Sequence, residues 1–148
     1  MPIFKAEIVA EQSEVIMDYQ SYIKKAIEAK KSAFAPYSKF RVGAIMVTRD
    51  DRSFSGCNIE SSTYSLTICA ERMALFKAIS EGARDFKAIF IAADTEKPCT
   101  PCGACRQVIW ELAENIEVVM INKYGKFKTR MMKDLLPDAF DENYLEGK

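Results

Sequence analysis

Two short stretches constrain this chain more than anything else in it: Cys69-Ala70-Glu71 near the middle, and Pro101-Cys102-Gly103-Ala104-Cys105 further on. Each opens a segment that reads as a helix. Two helix starts can thus bring three thiols and one carboxylate to a single point. Zinc takes thiolate readily, and a catalytic site uses three protein ligands and leaves the fourth tetrahedral position to water. Cys69, Cys102 and Cys105 are then the three ligands for Zn2+. Glu71 as a fourth ligand would close that open position, so its expected use is the movement of protons.

The five cysteines come without a single histidine. An odd number of cysteines in a chain with no secretory features points to metal binding or catalysis, not to a disulfide framework. Without histidine, a metal site has to use sulfur or carboxylate, and a proton carrier near neutrality has to be a tuned carboxylate, thiol, lysine or tyrosine. Glu71 fits that need. Lys+Arg and Asp+Glu both number 21 and the pI is about 6.4, so no basic surplus draws a polyanion, and a polynucleotide substrate is not expected. The N-terminal Met1-Pro2-Ile3-Phe4-Lys5-Ala6-Glu7 lacks the basic-then-apolar build of a signal peptide, and no apolar run reaches bilayer length. A soluble, cytoplasmic protein with no membrane partner is the expectation.

From about Ser13 to Lys31, Val15, Ile16, Tyr19, Ile23, Ala26 and Ile27 recur at helical spacing, with Ser13 as the N-cap. Ala35-Pro36-Tyr37-Ser38 breaks the helix. Phe40 to Thr48 alternates and becomes apolar on both faces at Ile45 and Val47, as in a strand within a covered sheet. A polar turn, Arg49-Asp50-Asp51-Arg52, leads to a returning strand, Ser53 to Ile59. After the hydroxyl-rich loop Ser61–Ser65 comes a second helix, Ile68 to Glu81, closed by Gly82. Lys87 to Ala93 reads as a buried strand, Asp94 to Pro101 as a loop with two prolines, Cys102 to Glu114 as a third helix, and Glu117 to Ile121 as a strand. Phe127 to Met131 is an edge strand, and Leu135-Leu136-Pro137 with Phe140 ends the ordered part. The order gives an α/β chain: a three-layer α/β/α sandwich with a central mixed sheet of about five strands, in a single domain over residues 1–148.

Cys102 and Cys105, three apart, share a helix face near the positive end of the helix dipole, and Cys69 holds the matching place on its own helix. Both features favour thiolate. A structural zinc site would want a fourth thiol, which Cys99 could supply, and Pro98-Cys99-x-x-Cys102 overlaps the preferred pair. Pro101 keeps Cys99 out of the helix, which favours Cys102 and Cys105. Cys57 reads as core. Three thiolates on Zn2+ leave a net charge of minus one, and Arg72 and Arg106, adjacent to Glu71 and Cys105, are placed to donate charge-assisted hydrogen bonds to the sulfurs. Asn58 and Glu60, two apart at a strand end, project to one side, where they can meet vicinal hydroxyls. Lys123, Lys126, Lys128 and Arg130 read as a solvated basic face.

With Ser38-Lys39-Phe40-Arg41-Val42-Gly43-Ala44, Gly56-Cys57-Asn58-Ile59-Glu60, Thr67-Ile68-Cys69-Ala70-Glu71-Arg72, Pro101-Cys102-Gly103-Ala104-Cys105-Arg106-Gln107 and Leu135-Leu136-Pro137, the chain resembles the small homotetrameric zinc-dependent cytidine deaminases over about residues 15 to 145. That resemblance implies hydrolytic deamination of cytidine and deoxycytidine to uridine and deoxyuridine, with release of ammonia, in pyrimidine salvage. It implies that activated water attacks C4 while Glu71 delivers the water proton to N3 and then helps protonate the departing ammonia. Asn58 and Glu60 would hold the ribose and Phe40 would pack on the nucleoside. The backbone of Ala70 and Thr100 would address the base edge. Phe140 would be an aromatic lid, and Ser62 and Tyr64 would make contacts across subunits. The loop after Glu60 departs from the family, with Ser61-Ser62-Thr63 where Asn-Ala-Ser is more frequent. The zinc motif also suits a deaminase of blasticidin-type cytosine nucleoside antibiotics, or a non-catalytic zinc module serving assembly.

Overall fold

Seven apolar or small residues in a row, Val42–Thr48, all buried, form the strand on which the domain is built. The computed structural model describes residues 17–147. Its elements are α1 (Tyr19–Lys30), β1 (Val42–Thr48), β2 (Ser53–Cys57), a 3-10 turn (Tyr64–Leu66), α2 (Ala70–Ser80), β3 (Phe86–Ala93), α3 (Gly103–Ala113), β4 (Glu117–Ile121), β5 (Phe127–Met131), α4 (Met132–Leu135) and α5 (Glu142–Leu145). The strands lie in the order β2-β1-β3-β4-β5. All neighbours are antiparallel except β3 and β4, which run parallel around α3, so the sheet is mixed.

Side-chain alternation divides the core in two. Val42, Ala44, Met46, Ile89, Ile91, Val118 and Met120 meet α2 and α3 on one face. Ile45, Val47, Ala88, Phe90, Val119 and Ile121 meet Tyr22, Ile23 and Ala26 of α1 on the other. The fold is the three-layer sandwich read from the sequence. Two glycines set how closely the helices lie on it. A Cβ on Gly43 would stand 2.2 Å from the Ala26 carbonyl oxygen of α1, and one on Gly56 would stand 2.4 Å from the Ala74 nitrogen of α2. Gly56 therefore lets the first turns of α2, which follow Cys69 and contain Glu71, rest directly on β2.

Several ends differ from the sequence reading, each for a local reason. Among the described residues α1 begins at Tyr19, capped by Asp18, whose carboxylate accepts from the Ser21 amide at 3.1 Å; Ser13, Val15 and Ile16 lie outside the described residues. The strand starts at Val42, not Phe40, because Asn58 takes over the backbone there: its Nδ2 donates to the Phe40 carbonyl at 2.7 Å and its Oδ1 accepts from the Val42 amide at 2.8 Å. The return strand stops at Cys57. Beyond it, Ile59 leaves the ladder to bridge Phe34 on one side and Ile68 on the other. Cys57 is half-buried and not core. The ordered part runs past Phe140 into α5. In the basic cluster, Lys123 pairs with Glu96 and lies over the ring of Tyr124.

Candidate active site

Cys69 and Cys102 are the N-cap residues of α2 and α3, both in extended backbone, and Cys105 lies in the first turn of α3. The first N–H groups of a helix lack intrahelical partners and carry partial positive charge. Two such ends therefore face three sulfurs. The Sγ atoms of Cys69, Cys102 and Cys105 all lie within 4.8 Å of one another, and among the described residues they form the one cluster of metal-type donors. Tetrahedral zinc at its usual bond length to thiolate would set the sulfurs about 3.8 Å apart. The triangle is of the right size, and thiolate is a donor zinc prefers, so the donor set fits Zn2+.

The sulfurs differ in surroundings. Cys105 is fully buried, Cys69 half-buried and Cys102 exposed. The thiol of Cys105 donates to Cys69 and holds its pKa down to about 5; burial opposes this and the nearby Arg72 guanidinium assists it. Cys105 is pushed up, first by keeping the proton it shares with Cys69 and then by burial. Arg72 Nη2 donates to Cys69 Sγ at 3.4 Å, and its Nε is buried without a partner among the described residues.

Arg106 does not reach the sulfurs. Its guanidinium donates to the Pro101 carbonyl at 2.8 Å, the Thr100 hydroxyl at 2.7 Å and the Leu135 carbonyl at 2.8 Å. On a helix, successive residues point about 100° apart, so the neighbour of Cys105 faces away from the metal donors.

Glu71 follows the N-cap by two residues and is only 5 % exposed. Burial pushes its carboxyl up to about 7, with backbone hydrogen bonding opposing and the Cys69 charge adding to the rise. It faces a cavity of about 170 Å³ lined also by Phe40, Val42, Asn58, Thr67, Ile68, Cys69, Ala70, Cys99, Thr100 and Cys102. Thr67 is shared with a second, more open groove formed by Tyr37, Ser38, Glu60 and Tyr64. A larger cavity, about 580 Å³, lies between α3 and α5 and is edged by Glu111, Glu114, Asp141 and Glu142. It lacks the thiol cluster, so the chemistry belongs to the smaller cavity.

Of the residues singled out in the sequence, the cavity brings together Phe40, Asn58, Ala70, Glu71, Thr100, Cys69 and Cys102. Glu60 and Tyr64 line the adjoining groove instead. Asn58 and Glu60 do not project side by side as a strand would have them. Asn58 is 8 % exposed and tied to Phe40 and Val42, while Glu60 accepts from the amides of Tyr37 and Ser38 at 2.9 and 3.0 Å and from the Ser38 hydroxyl. Ser62 is exposed, and Phe140 stacks on Tyr144 with its carbonyl held by Gln107; neither lines the cavity or the groove within one chain. The sequence offers Cys99 as a possible fourth thiol; in the structure it is a wall of the cavity, its thiol pushed up to about 11 by burial and the Glu71 charge. The overlapping Pro98-Cys99-x-x-Cys102 spacing was its only sequence signal.

A three-layer α/β/α sandwich whose two helix starts offer three thiolates to a cation, beside a buried carboxylate, defines a zinc-thiolate hydrolase. The model of the cytidine and deoxycytidylate deaminase zinc-binding region matches residues 16–122. A cytidine deaminase of Sporosarcina psychrophila is 47% identical over 130 residues, 87% of this chain and 96% of its own length. One from Halalkalibacterium halodurans is 50% identical over 125 residues, 84% and 95% of the two chains. The crystal structure of cytidine deaminase from Burkholderia pseudomallei is similar with a TM-score of 0.82 at 47% identity, over 84% of this chain and 100% of that one. The chain belongs to the zinc-dependent cytidine and deoxycytidylate deaminase family.

Proposed function

We propose that this protein hydrolytically deaminates cytidine and deoxycytidine to uridine and deoxyuridine. The observation that carries the reading is Glu71: a buried carboxyl with its pKa raised to about 7, facing a small cavity whose wall includes two of the three thiols. Zinc held by Cys69, Cys102 and Cys105 supplies a Lewis acid that makes water nucleophilic near neutrality. A carboxyl titrating near 7 can both accept and donate a proton there. Glu71 takes one proton from water and gives it to N3 of the ring as the oxygen bonds to C4; it then takes the second proton from that C4 hydroxyl and gives it to the departing amine, so that a C4–O bond replaces the C4–N bond and ammonia leaves.

The remaining residues orient the nucleoside. Phe40 packs on it, and the first-turn N–H of Ala70 and the Thr100 backbone meet the base edge. Asn58 is rigid because both ends of its amide are bonded to backbone, which supports a role in fixing the ribose beside it. Glu60 meets the ribose hydroxyls from the adjoining groove. Tyr64, 75% exposed in one chain, lines that groove, and Leu66, 71% exposed, lies in the same 3-10 turn. Apolar groups at a site entrance are suited to cover by a neighbouring subunit, and the enzyme works as a homotetramer whose sites are completed by Ser62, Tyr64 and Phe140 across interfaces. Free cysteines throughout the described chain suit the reducing cytoplasm.

The test is ultraviolet spectroscopy of the purified protein with cytidine, beside a chelator-treated sample and Glu71→Gln. Conversion to uridine is expected from the zinc-loaded wild type and is expected to vanish on chelation. Glu71→Gln should remain folded and zinc-loaded with activity lower by about a hundredfold or more. A zinc-loaded wild type that leaves cytidine untouched would end this reading.

A further inference from the structure

The loop from Asp94 to Cys102 brings one metal ligand to the site and, with Cys99 and Thr100, part of the cavity wall. Two of its residues, Pro98 and Pro101, have no N–H with which to be anchored. Its last turn is held from outside by Arg106. Nε donates to the Pro101 carbonyl at 2.8 Å and Nη2 to the Thr100 hydroxyl at 2.7 Å, the two residues just before Cys102. Nη1 donates to the Leu135 carbonyl at 2.8 Å, at the end of the short α4, where helix carbonyls lack intrahelical partners. One planar group thus joins α3, the ligand loop and the C-terminal segment. The next residue, Gln107, ties the same segment by donating to the Phe140 carbonyl at 2.7 Å.

We propose that Arg106 is a positioning residue for the deamination: it fixes Thr100 to Cys102 against Leu135, so that Cys102 keeps its place in the thiol triangle and Thr100 its place in the cavity wall. The proposal rests on the reading of this protein as a zinc-dependent cytidine deaminase. Three acceptors around one plane match the fixed fork of a guanidinium, and an ammonium on a flexible stem does not reproduce that arrangement. Cys102 is the exposed ligand, whereas Cys105 is fully buried and Cys69 half-buried. Cys102 has the least packing to hold it, so a loosened loop acts on it first.

The experiment compares zinc-loaded wild type, Arg106→Lys and Thr100→Val, with Arg84→Lys as a control. Arg84 also donates to two carbonyls, those of Ile79 and Ala83 at 2.8 and 2.7 Å, but at the far end of α2 from Cys69. Four readouts are taken: the rate of zinc loss to a chromogenic chelator, the visible spectrum of the cobalt-substituted protein, kcat and KM for cytidine, and Tm. Arg106→Lys is expected to speed zinc loss and to lower kcat/KM, each by about tenfold to a hundredfold, with KM raised and the cobalt spectrum shifted. Arg84→Lys should leave zinc loss and kinetics within about twofold of wild type. Thr100→Val removes one acceptor and should give a smaller change of the same sign; if Arg106→Lys does not fold, this variant decides. Wild-type zinc retention and kinetics in Arg106→Lys overturn the proposal, and so do equal zinc losses in Arg106→Lys and Arg84→Lys. Zinc loss and the cobalt spectrum need no turnover, so a wild type inactive on cytidine would sink the substrate reading and leave this test in force.

Discussion

The guanidinium of Arg72 reaches back one turn of α2 to donate to the sulfur of Cys69 at 3.4 Å. Residues three apart share a helix face, so the contact follows from the sequence spacing. Three thiolates on a divalent cation would sum to one negative charge, and Arg72 is placed to offset it. Arg72→Gln is expected to lower kcat for cytidine by about tenfold to a hundredfold in protein saturated with zinc. Metal content by atomic absorption, taken with kcat, checks this. Unchanged kcat at full zinc occupancy would remove Arg72 from the mechanism.

The placement of α2 depends on what Gly56 lacks. A Cβ there would meet the Ala74 nitrogen at 2.4 Å and the Ala70 carbonyl at 2.5 Å, and backbone of a packed helix cannot yield as a side chain can. Gly56→Ala should destabilise the fold by about 1–3 kcal/mol and lower kcat of the folded protein, because α2 carries Glu71 away from the cavity. Gly43→Ala makes a similar clash with Ala26 on the α1 face, and should lose stability with less effect on kcat. Thermal melts paired with kcat below the transition separate the two. A Gly56→Ala protein melting with wild type would show that the helix has room to spare.

The meeting of three thiols with the carboxyl of Glu71 was legible in the sequence because the relations are local: each pair lies within one helix start, and helical spacing fixes the faces. The two-faced core was legible because β1 and β3 are apolar at every position that must meet a helix layer. Arg106 departs from its expected place at the sulfurs because adjacency to Cys105 in sequence is divergence on a helix. Asn58 and Glu60 were read with the period of a strand that ends at Cys57, and what they do depends on loops far off in sequence, at Phe40 and at Tyr37-Ser38. The place of Cys99 in the cavity wall has no counterpart in its spacing, because the path of a loop with two prolines is set by tertiary contacts.

At the far edge of the sheet, the Tyr19 hydroxyl donates to Glu117 Oε1 at 2.5 Å while its ring stacks on Phe127. Burial, and then the bond and charge of Glu117, raise its pKa from 10.0 to about 12. The folded state therefore holds the phenolic proton more tightly than the unfolded chain. Stability from this group is complete below pH 10 and is lost as pH rises towards 12. Tyr19→Phe keeps the ring and removes the bond, so at pH 8 it should be less stable than wild type by about 1 kcal/mol. By pH 11 the gap should narrow. Urea unfolding at both values checks this, and a gap that stays constant would mean that Tyr19 does not titrate as its surroundings dictate.

Glu60 is the carboxylate of the groove beside the cavity, and its two oxygens are already engaged. Oε1 accepts from the Tyr37 and Ser38 amides and Oε2 from the Ser38 hydroxyl, which with those amides holds the acid below its usual range. An ionised carboxylate has about four acceptor sites, so one remains for a ligand hydroxyl after these three. The engaged bonds fix where that site points. Glu60→Ala removes the acceptor and releases the Tyr37-Ser38 turn together, and KM for cytidine should rise by about tenfold or more. Glu60→Gln keeps the shape but replaces one oxygen by a donor, which cannot accept from Ser38, so its KM should also rise, by less. The effect on kcat at saturation should be smaller in both, because Glu71 and the thiols are untouched. Steady-state kinetics of the two variants decide it: wild-type KM in Glu60→Ala would mean that the ribose is read elsewhere, and a loss confined to kcat would place Glu60 in the chemical step instead of in binding.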